Sequence, residues 1–323
     1  MRKFVSIVLA AACVTLFSFN CIAQEVDINQ GIDLYNKATE AYNAKQYDQA
    51  IQYGNDAYKI AIDAGEEGAE LKKNMETLIP QLYLGKANNL INEKNFDEAI
   101  TAFEEAKTIA EKYNSANVKE SINEAFPKLY MAKGVAGYEA NDFDNAIAAL
   151  TKAAEFDTNN SQIYLLQGAS YLKKSDLDNA EQAFIKCAEV GTATNNETNV
   201  KNANAQLSTI YLLKAQDAMK NKKWNDVLTF ADKSLEVNEN LNGYKMKASA
   251  AMQLKKWDDV IAAYDKVVSM GTDKDKPTAY YYIAAAYQSK NNVNKACEFY
   301  KKIRTDATYK AHAEQAINAL QCK

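Results

Sequence analysis

Turn-forming residues are scarce in this chain of 323 residues, which contains only 11 glycines and 3 prolines. Folds rich in β-strands need many tight turns, and glycine and proline supply most of them, so the composition argues against a β-rich fold. Hydrophobic residues make up 47% of the sequence and charged residues 25%, which is typical of an ordered protein. Because alanine, leucine, lysine and glutamate are abundant, we expect a mainly helical chain.

Residues that carry catalytic chemistry are also scarce. His312 is the only histidine, and the sequence contains no CxxC, no HExxH, no phosphate-binding glycine loop and no EF-hand spacing. A catalytic triad would have to use His312, and an isolated histidine of this kind is far more often a surface residue. The sequence therefore predicts that the protein is not an enzyme and has no metal site and no cofactor.

Arginine is almost absent, since it occurs only at Arg2 and Arg304, and the net charge at pH 7 is −4. Positive charge supplies most of the affinity of a protein for the phosphate backbone of nucleic acids. An acidic chain with so little arginine is therefore not expected to bind DNA or RNA.

The first 23 residues have the pattern of a secretory signal peptide. Arg2 and Lys3 precede an apolar run over residues 4–19, and small residues end at Ala23 before Gln24. We predict a signal peptide over residues 1–23 and an exported protein, located in the periplasm or at the outer envelope. Two alternatives stay open: an uncleaved anchor, or a lipid attached to Cys21, which the preceding Asn20 disfavours. No other stretch is expected to cross a membrane.

Two phrases repeat along the rest of the chain. The first contains an aromatic or apolar residue followed by Asp or Asn and then small residues, and successive copies lie 33–36 or 47–49 residues apart. The second contains a Tyr that lies thirteen residues before the aromatic or apolar residue of the first phrase, with a small residue four positions after the Tyr. The first phrase reads QYDQAIQYG (46–54), NFDEAITAF (95–103), DFDNAIAAL (142–150), DLDNAEQAF (176–184), KWNDVLTFA (223–231), KWDDVIAAY (256–264) and NVNKACEFY (292–300).

This pattern predicts helix-turn-helix units that stack on one another. A separation of four residues places the repeated Tyr and the small residue on one helical face, where we expect the aromatic ring to fill the gap left by a neighbour's small side chain. The repeated Asp or Asn is expected to start the second helix by accepting unpaired backbone N–H groups. A unit of this size cannot bury its own apolar face, so adjacent copies have to pack together.

In these features the sequence resembles the tetratricopeptide repeat (TPR) family. The resemblance implies an all-α fold, a TPR-type α-solenoid of about seven helix-turn-helix units over residues 24–304, followed by a C-terminal capping helix over residues 305–323. Three intervals are long, which predicts three lengthened helix pairs, with the extra residues divided equally between the two helices. Pro80 and Pro127 either kink a long helix or begin a new one. The unit 161–194 matches best, with Tyr164, Gly168, Tyr171, Leu177, Ala180, Phe184 and Cys187.

The resemblance also implies a site. In the family, one face of the first helix of each unit lines the concave groove of a superhelix and binds a protein partner. We therefore expect a scaffold or adaptor, and the alternatives are a carrier of a small molecule or glycan held among the tyrosines, or a face closed by packing. The residues carried over to this face are Tyr35, Tyr42, Leu84, Asn88, Ile91, Met131, Tyr138, Leu165, Leu172, Leu212, Met219 and Met252.

Three cysteines follow the predicted signal peptide: Cys187, Cys297 and Cys322. Export makes a disulfide chemically feasible, and the spacing favours a bond between Cys297 and Cys322 on the last two helices. Two separate buried thiols are the alternative. Cys187 is expected to pack in the core.

Overall fold

The computed structural model describes residues 27–323, so the predicted signal peptide and Cys21 lie outside the described residues. The described residues form fifteen α-helices and no strand. Seven consecutive helical pairs and a final helix confirm the all-α fold. The helices are α1 (Ile28–Asn43), α2 (Tyr47–Asp63), α3 (Ala69–Asn92), α4 (Phe96–Lys112), α5 (Ala116–Glu139), α6 (Phe143–Phe156), α7 (Ser161–Lys173), α8 (Leu177–Ala193), α9 (Glu197–Lys220), α10 (Trp224–Val237), α11 (Leu241–Gln253), α12 (Trp257–Met270), α13 (Lys276–Ser289), α14 (Val293–Lys302) and α15 (Lys310–Ala319).

The described residues divide into two compact units, 27–122 and Asn123–Lys323, and the boundary falls within α5. In the first unit α1 packs on α2, α2 on α3 and α3 on α4, and α1 also contacts α3. In the second unit the helices from α6 to α15 pack in the same sequential order, and α9 also contacts both α7 and α11. Within each unit, therefore, first helices of successive pairs lie side by side.

The turn inside each helical pair has one common geometry along the chain. Its residue two positions before the second helix has a positive φ, and the next N–H donates to the carbonyl five residues earlier, as from Gln46 to Ala41 at 2.8 Å. This local bond pattern explains why the turn phrase recurs in the sequence. The positive-φ residues are Lys45, Lys94, Asn141, Ser175, Lys222, Lys255 and Asn291.

The repeated Asp does not cap the second helix, and in this respect the sequence-based interpretation is wrong. Where a side chain caps that helix, the cap is one residue before the aromatic position, as Asp142 and Asp176 are. The repeated Asp instead accepts a hydrogen bond from a lysine of the next pair, as Asp178 does from Lys214 at 2.6 Å. It therefore lies in the first turn of the second helix and links successive pairs.

Three lengthened antiparallel helix pairs are confirmed, but each consists of the second helix of one unit and the first helix of the next, and the extra residues are not shared equally between the two helices. The second helices α2, α4 and α8 have 17 residues against 14 in α6, α10 and α12. The first helices that follow them, α3, α5 and α9, have 24 residues against 13 in α7 and α11. An addition of 11 residues is about three turns at 3.6 residues per turn, so the packed face keeps its orientation. Pro80 and Pro127 lie inside α3 and α5 and begin no new helix.

The small residue of the second phrase faces its own pair and not the repeated Tyr of a neighbour. A Cβ atom added to Gly168 would lie 2.8 Å from the Phe184 ring, and one added to Gly134 would lie 2.5 Å from Leu150 Cγ. Phe184 and Leu150 are fully buried residues of the second helices α8 and α6. The gap left by the small residue is thus filled by the bulky side chain of its partner helix.

The final helix α15 packs beside α14, and its Ala313 is buried against Tyr300 and Ile303. A disulfide joins Cys297 on α14 to Cys322, with 5.6 Å between the Cα atoms. Cys187 is a free, buried thiol whose Sγ lies 3.8 Å from the carbonyl oxygen of Asn199. Among residues 27–323, none of the helices has the length and apolar character to cross a membrane.

Candidate functional site

Of the twelve residues expected to line the binding face, all but Asn88, which is exposed, are half-buried. They lie on the first helices α1, α3, α5, α7, α9 and α11. A half-buried side chain packs along one edge and leaves the other edge in contact with solvent. This face is therefore neither a closed core nor a freely projecting surface.

In the first unit, the tyrosines of this face take part in packing. The Tyr42 ring lies edge-on to Tyr47 with centroids 5.6 Å apart, and a Cβ atom on Gly85 of α3 would be 2.4 Å from the Tyr42 ring. Tyr35 packs against the core cluster that contains Leu71 and Met75. Leu84, Asn88 and Ile91 lie on α3. A cavity of about 390 Å³ in this unit is lined by none of these five predicted residues, but by Lys45, Gln46, Tyr47, Asp48, Gln49, Lys86, Asn89, Leu90 and Glu93.

In the second unit, the structure brings three of the predicted residues together around one cavity of about 500 Å³. We call this space the α7 cavity, because half of its lining comes from that helix. Its lining contains Tyr138 of α5, Leu165 and Leu172 of α7, and the buried Phe184 of α8. The full lining is Tyr138, Leu165, Leu166, Ala169, Leu172, Lys173, Phe184, Asn202, Ala205 and Gln206.

One wall of the α7 cavity comes from residues that the sequence interpretation missed. Asn202, Ala205 and Gln206 lie in the extended first half of α9. The buried Asn199 donates a hydrogen bond to the Ser161 hydroxyl at 2.9 Å, which fixes the start of α9 beside the start of α7. The amides of this extended helix therefore face the α7 residues Leu165, Ala169 and Leu172.

Four of the other predicted residues of the second unit do not line this cavity: Met131, Leu212, Met219 and Met252. Met219 packs against Ala215, Ala218 and Val227 in a separate core cluster. The predicted face positions of α9 were counted from the repeated Tyr211, as in the repeats of the family. The extension of α9 lies before Tyr211, so this count does not reach it. The interval of 47 residues between Leu177 and Trp224 was the signal that could have revealed this extension and the lining residues on it.

The charge around the α7 cavity is simple. Lys173 is the only charged residue of its lining, and the lining contains no carboxylate. On α9, Lys214 bridges Asp178 and Glu181 at 2.6 Å each. Burial, together with the nearby Glu181 carboxylate, raises the pKa of Tyr211 to about 12.

A second cavity of about 500 Å³ lies on another side of the α9 extension and shares Ala205 with the α7 cavity. More of its lining residues have polar side chains, and the full lining is Gly191, Thr192, Asn195, Glu197, Val200, Lys201, Asn204, Ala205, Val237 and Asn238. The two cavities together make the first half of α9 a wall that is accessible from two sides.

These surfaces offer contacts for binding. Apolar side chains, carboxamides and one ammonium line the α7 cavity, and no nucleophile with a neighbouring base is among its residues. In the part of the chain that the structure describes, no group of three or more His, Cys, Asp or Glu side chains is arranged to hold a metal ion.

Comparison with known proteins identifies the repeats. One tetratricopeptide repeat model matches residues 80–113 and a second matches residues 131–188. The second match contains Tyr138, Leu165 and Leu172 of the α7 cavity. No curated protein matches the sequence.

Several solved structures are similar to the chain at low identity. MamA is 21% identical over 58% of this chain and 94% of MamA, with a TM-score of 0.34. The TPR2AB domain of yeast Sti1, in its pHSP90 complex, is 16% identical over 91% of this chain and 99% of that chain, with a TM-score of 0.35. A tetratricopeptide repeat protein from Parabacteroides merdae is 14% identical over the same shares, with a TM-score of 0.27. At TM-scores this low, these likenesses support no inference about function.

Proteins built from tetratricopeptide repeats generally mediate protein–protein interaction as scaffolds. The repeat fold is typically non-catalytic.

Proposed function

We propose that this tetratricopeptide repeat protein is an exported scaffold that binds a protein partner through the exposed edges of its first helices. The α7 cavity is the part of this face to which we assign the partner. No reaction is implied, because the proposed task is to present a shaped surface to another chain.

The observation that carries this proposal is the composition of the α7 cavity. Leu165, Leu166 and Leu172 are half-buried and form an apolar floor with the buried Phe184, while Asn202 and Gln206 stand exposed at the rim. An apolar centre with a polar rim is the usual anatomy of a protein interface. Apolar surface left open to solvent is also the surface that gains most free energy when a partner covers it.

Export rests on the sequence of residues 1–23 and on cysteine chemistry. Disulfides such as Cys297–Cys322 persist in oxidising compartments, including the bacterial periplasm, and are rare in the cytosol. We place the protein in the periplasm or at the outer envelope. Intact mass of the protein isolated from cells tests this, because cleavage after Ala23 and lipidation of Cys21 give different masses.

Capture from an extract of the cell envelope tests partner binding. The immobilised protein should retain a partner that mass spectrometry identifies, and Leu165→Asp and Leu172→Asp, two changes in the lining of the α7 cavity, should each abolish this capture. Leu213→Asp is the matched control, because Leu213 on α9 is 42% exposed and lies outside the α7 cavity. Circular dichroism should show equal helicity for all three variants. Retention of the same partner by both Leu165→Asp and Leu172→Asp would refute the proposal.

A carrier of a small molecule or glycan is the second candidate. Its support is the volume of the α7 cavity, about 500 Å³, together with the Tyr138 side chain in its wall. A carrier predicts a rise in melting temperature with at least one compound of a small-molecule and glycan panel, and loss of that rise in Leu165→Asp. No shift with any compound counts against this candidate.

A further inference from the structure

We propose that the second cavity, which is lined by Glu197, Lys201 and Val237, is a binding site for a free aromatic amino acid such as phenylalanine. We call it the α9–α10 cavity. It lies at the connections between pairs and shares only Ala205 with the α7 cavity, so the inference does not depend on the proposed function. Three features carry it: the space beside Val237, two unpaired charges and an unpaired amide.

The α9–α10 cavity exists because the two helices differ in length. α9 has 24 residues and α10 has 14, so the first half of α9 extends beyond Val237, the last residue of α10. The result is a recess of about 500 Å³ that is bounded by Val237 on one helix and by Gly191 near the end of α8. A volume of this size holds a small molecule.

Another pair of helices in the same unit shows what fits at this position. Phe156 and Val237 are the last residues of α6 and α10, two second helices of 14 residues each. The Phe156 ring stacks on the rings of Phe126 and Tyr130 of α5, with centroids 5.3 Å and 5.8 Å apart. An aromatic ring at the end of the second helix therefore packs against the long helix before it. In α10, a valine takes the place of that ring.

The equivalent surface of α9 is apolar as well. Tyr130 and Tyr211 are both the repeated Tyr, and Leu207 precedes Tyr211 by four residues, as Phe126 precedes Tyr130. Leu207 and Tyr211 belong to a buried cluster against which the half-buried Val237 packs. A ligand ring beside Val237 extends this apolar packing, as the phenylalanine ring does on α6, and loses its own contact with water.

Two opposite charges line the α9–α10 cavity one helical turn apart. Glu197 and Lys201 are exposed, and neither side chain forms an ion pair or a hydrogen bond with another residue in 27–323. Their order and spacing favour a pair along a helix, and Asp33 and Lys37 do form such a pair on α1 at 2.7 Å. A zwitterion satisfies both side chains, with its ammonium on Glu197 and its carboxylate on Lys201.

The amide of Asn204 adds a polar contact on the next turn of the same face. Asn204 is half-buried in the cavity lining, and its side chain hydrogen-bonds to no other described residue. The carboxamide can donate to a carboxylate or accept from an ammonium. The first residue of a peptide lacks the free carboxylate, and the last residue lacks the free ammonium. A free amino acid is therefore the ligand that matches both charges.

Isothermal titration calorimetry of the purified protein with four compounds tests the inference. L-phenylalanine has the ring and both charges, whereas L-phenylalanine amide lacks the carboxylate, N-acetyl-L-phenylalanine lacks the ammonium and L-alanine lacks the ring. We expect L-phenylalanine to bind about tenfold more tightly than each of the other three, because each of them loses a charged hydrogen bond or the buried ring.

Filling the α9–α10 cavity from within is the most direct variant. Val237→Phe places a ring where α6 has Phe156 and should abolish the binding of L-phenylalanine. Leu213→Phe is the matched control, because Leu213 is 42% exposed and lies outside the lining, and it should leave binding unchanged. Circular dichroism checks that both variants fold.

Two charge variants test the site without a change of core volume. Glu197→Gln and Lys201→Gln alter exposed residues, and each should weaken the binding of L-phenylalanine about tenfold. Lys201→Gln should not change the affinity for L-phenylalanine amide, which has no carboxylate for Lys201 to bind. Glu124→Gln on α5 and Lys220→Gln on α9 alter exposed residues outside the lining and should have no effect.

Absence of L-phenylalanine binding, or binding that survives Val237→Phe and both charge variants, would overturn this inference. Equal binding of the amide or of the acetyl compound would also overturn it, since the cavity would then take one end of a peptide. None of these results bears on the proposed function, because capture of a protein partner is tested at Leu165 and Leu172 in the α7 cavity.

Discussion

The chain joins its helical pairs in two ways, and the α8–α9 and α10–α11 connections show the contrast. In the first, a 17-residue helix ends in a short turn that contains Asn195 with a positive φ, and a 24-residue helix follows. In the second, a 14-residue helix ends at Val237, Asn238 follows in an extended conformation, and a 13-residue helix comes next. The turns inside the pairs are alike in both cases.

Each connection is fixed by a buried polar contact of its own. In the long connection, Asn199 donates to Ser161 on the previous first helix at 2.9 Å. In the short one, the buried hydroxyls of Ser208 and Ser234 lie 2.8 Å apart, and the Asn240 amide donates to both at 3.1 Å. Asn240 also caps α11 by accepting from Gly243. Length added between pairs therefore changes which residues face the neighbouring helix, while the turn inside the pair stays the same.

The largest effect is expected from removing the buried ring of Phe184 on α8, the second helix before the long connection. Phe184→Ala should lower the free energy of unfolding by about 3–5 kcal/mol, because a fully buried ring leaves a cavity that its neighbours fill only in part. Phe156→Ala at the end of α6 is the control, since that ring is 51% exposed. Urea unfolding of both variants gives the comparison, and equal losses would contradict the packing described for Gly168 and Phe184.

A smaller effect should follow from cutting the polar contact of the long connection. Asn199→Ala leaves the buried Ser161 hydroxyl without its partner and should lower the free energy of unfolding by about 1–3 kcal/mol. The adjacent Thr198 is exposed, so Thr198→Ala should change it by less than about 0.5 kcal/mol. Hydrogen exchange should also accelerate over the first turns of α9 in Asn199→Ala alone. Unchanged exchange there would show that the contact does not hold the two helix starts together.

The turn inside each pair has the same geometry whichever kind of connection follows the pair. A glycine substitution in this turn should increase stability. Lys222 has a φ of 55°, a region that disfavours residues with a Cβ atom and that glycine enters freely. Lys222→Gly should raise the free energy of unfolding by about 0.5–1 kcal/mol, since the relieved strain exceeds the added freedom of the unfolded chain. Gln216→Gly, at an exposed position inside α9, should instead destabilise the protein. A loss of stability in both variants would argue against strain at this turn.

The smallest effect concerns pH and the short connection between α12 and α13. A hydrogen bond from Lys245 at 2.5 Å, with help from the N–H and hydroxyl of Thr272, lowers the pKa of Asp275 to about 2. The folded state then binds fewer protons than the unfolded state, so this contribution is complete above the ordinary pKa of about 3.9 and is lost as pH falls toward 2. Melting temperatures of the wild type and Asp275→Asn should therefore differ at pH 6 and converge near pH 2. A constant difference across this range would contradict the assignment.

Much of the fold could be predicted from the sequence, because the repeated phrase encodes a local event. The turn at Lys45 or Lys222 depends on a bond between residues five apart, and in all seven helical pairs this bond lies at the same place in the repeated phrase. The seven pairs, the final helix and the lengthened pairs all followed from that pattern.

What the sequence could not supply were contacts between residues far apart in the chain. Asp178 is of a residue type that often caps helices. Only its hydrogen bond from Lys214, 36 residues later, shows that it links successive pairs instead. Likewise, Asn202 and Gln206 have no counterpart in a repeat counted from Tyr211. They could not be assigned to the α7 cavity without the bond between Asn199 and Ser161.

The environment of Cys187 gives this protein a built-in reporter. The disulfide occupies Cys297 and Cys322, so Cys187 is the one free thiol within residues 27–323. Burial raises its pKa to about 11, and its sulfur contacts the carbonyl oxygen of Asn199 at the start of the α7 cavity wall. A thiol reagent can reach it only while α8 and α9 are apart. In a chain that begins at Gln24, the rate at which Cys187 is labelled therefore measures how often α8 and α9 separate. A partner that occupies the α7 cavity should lower this rate.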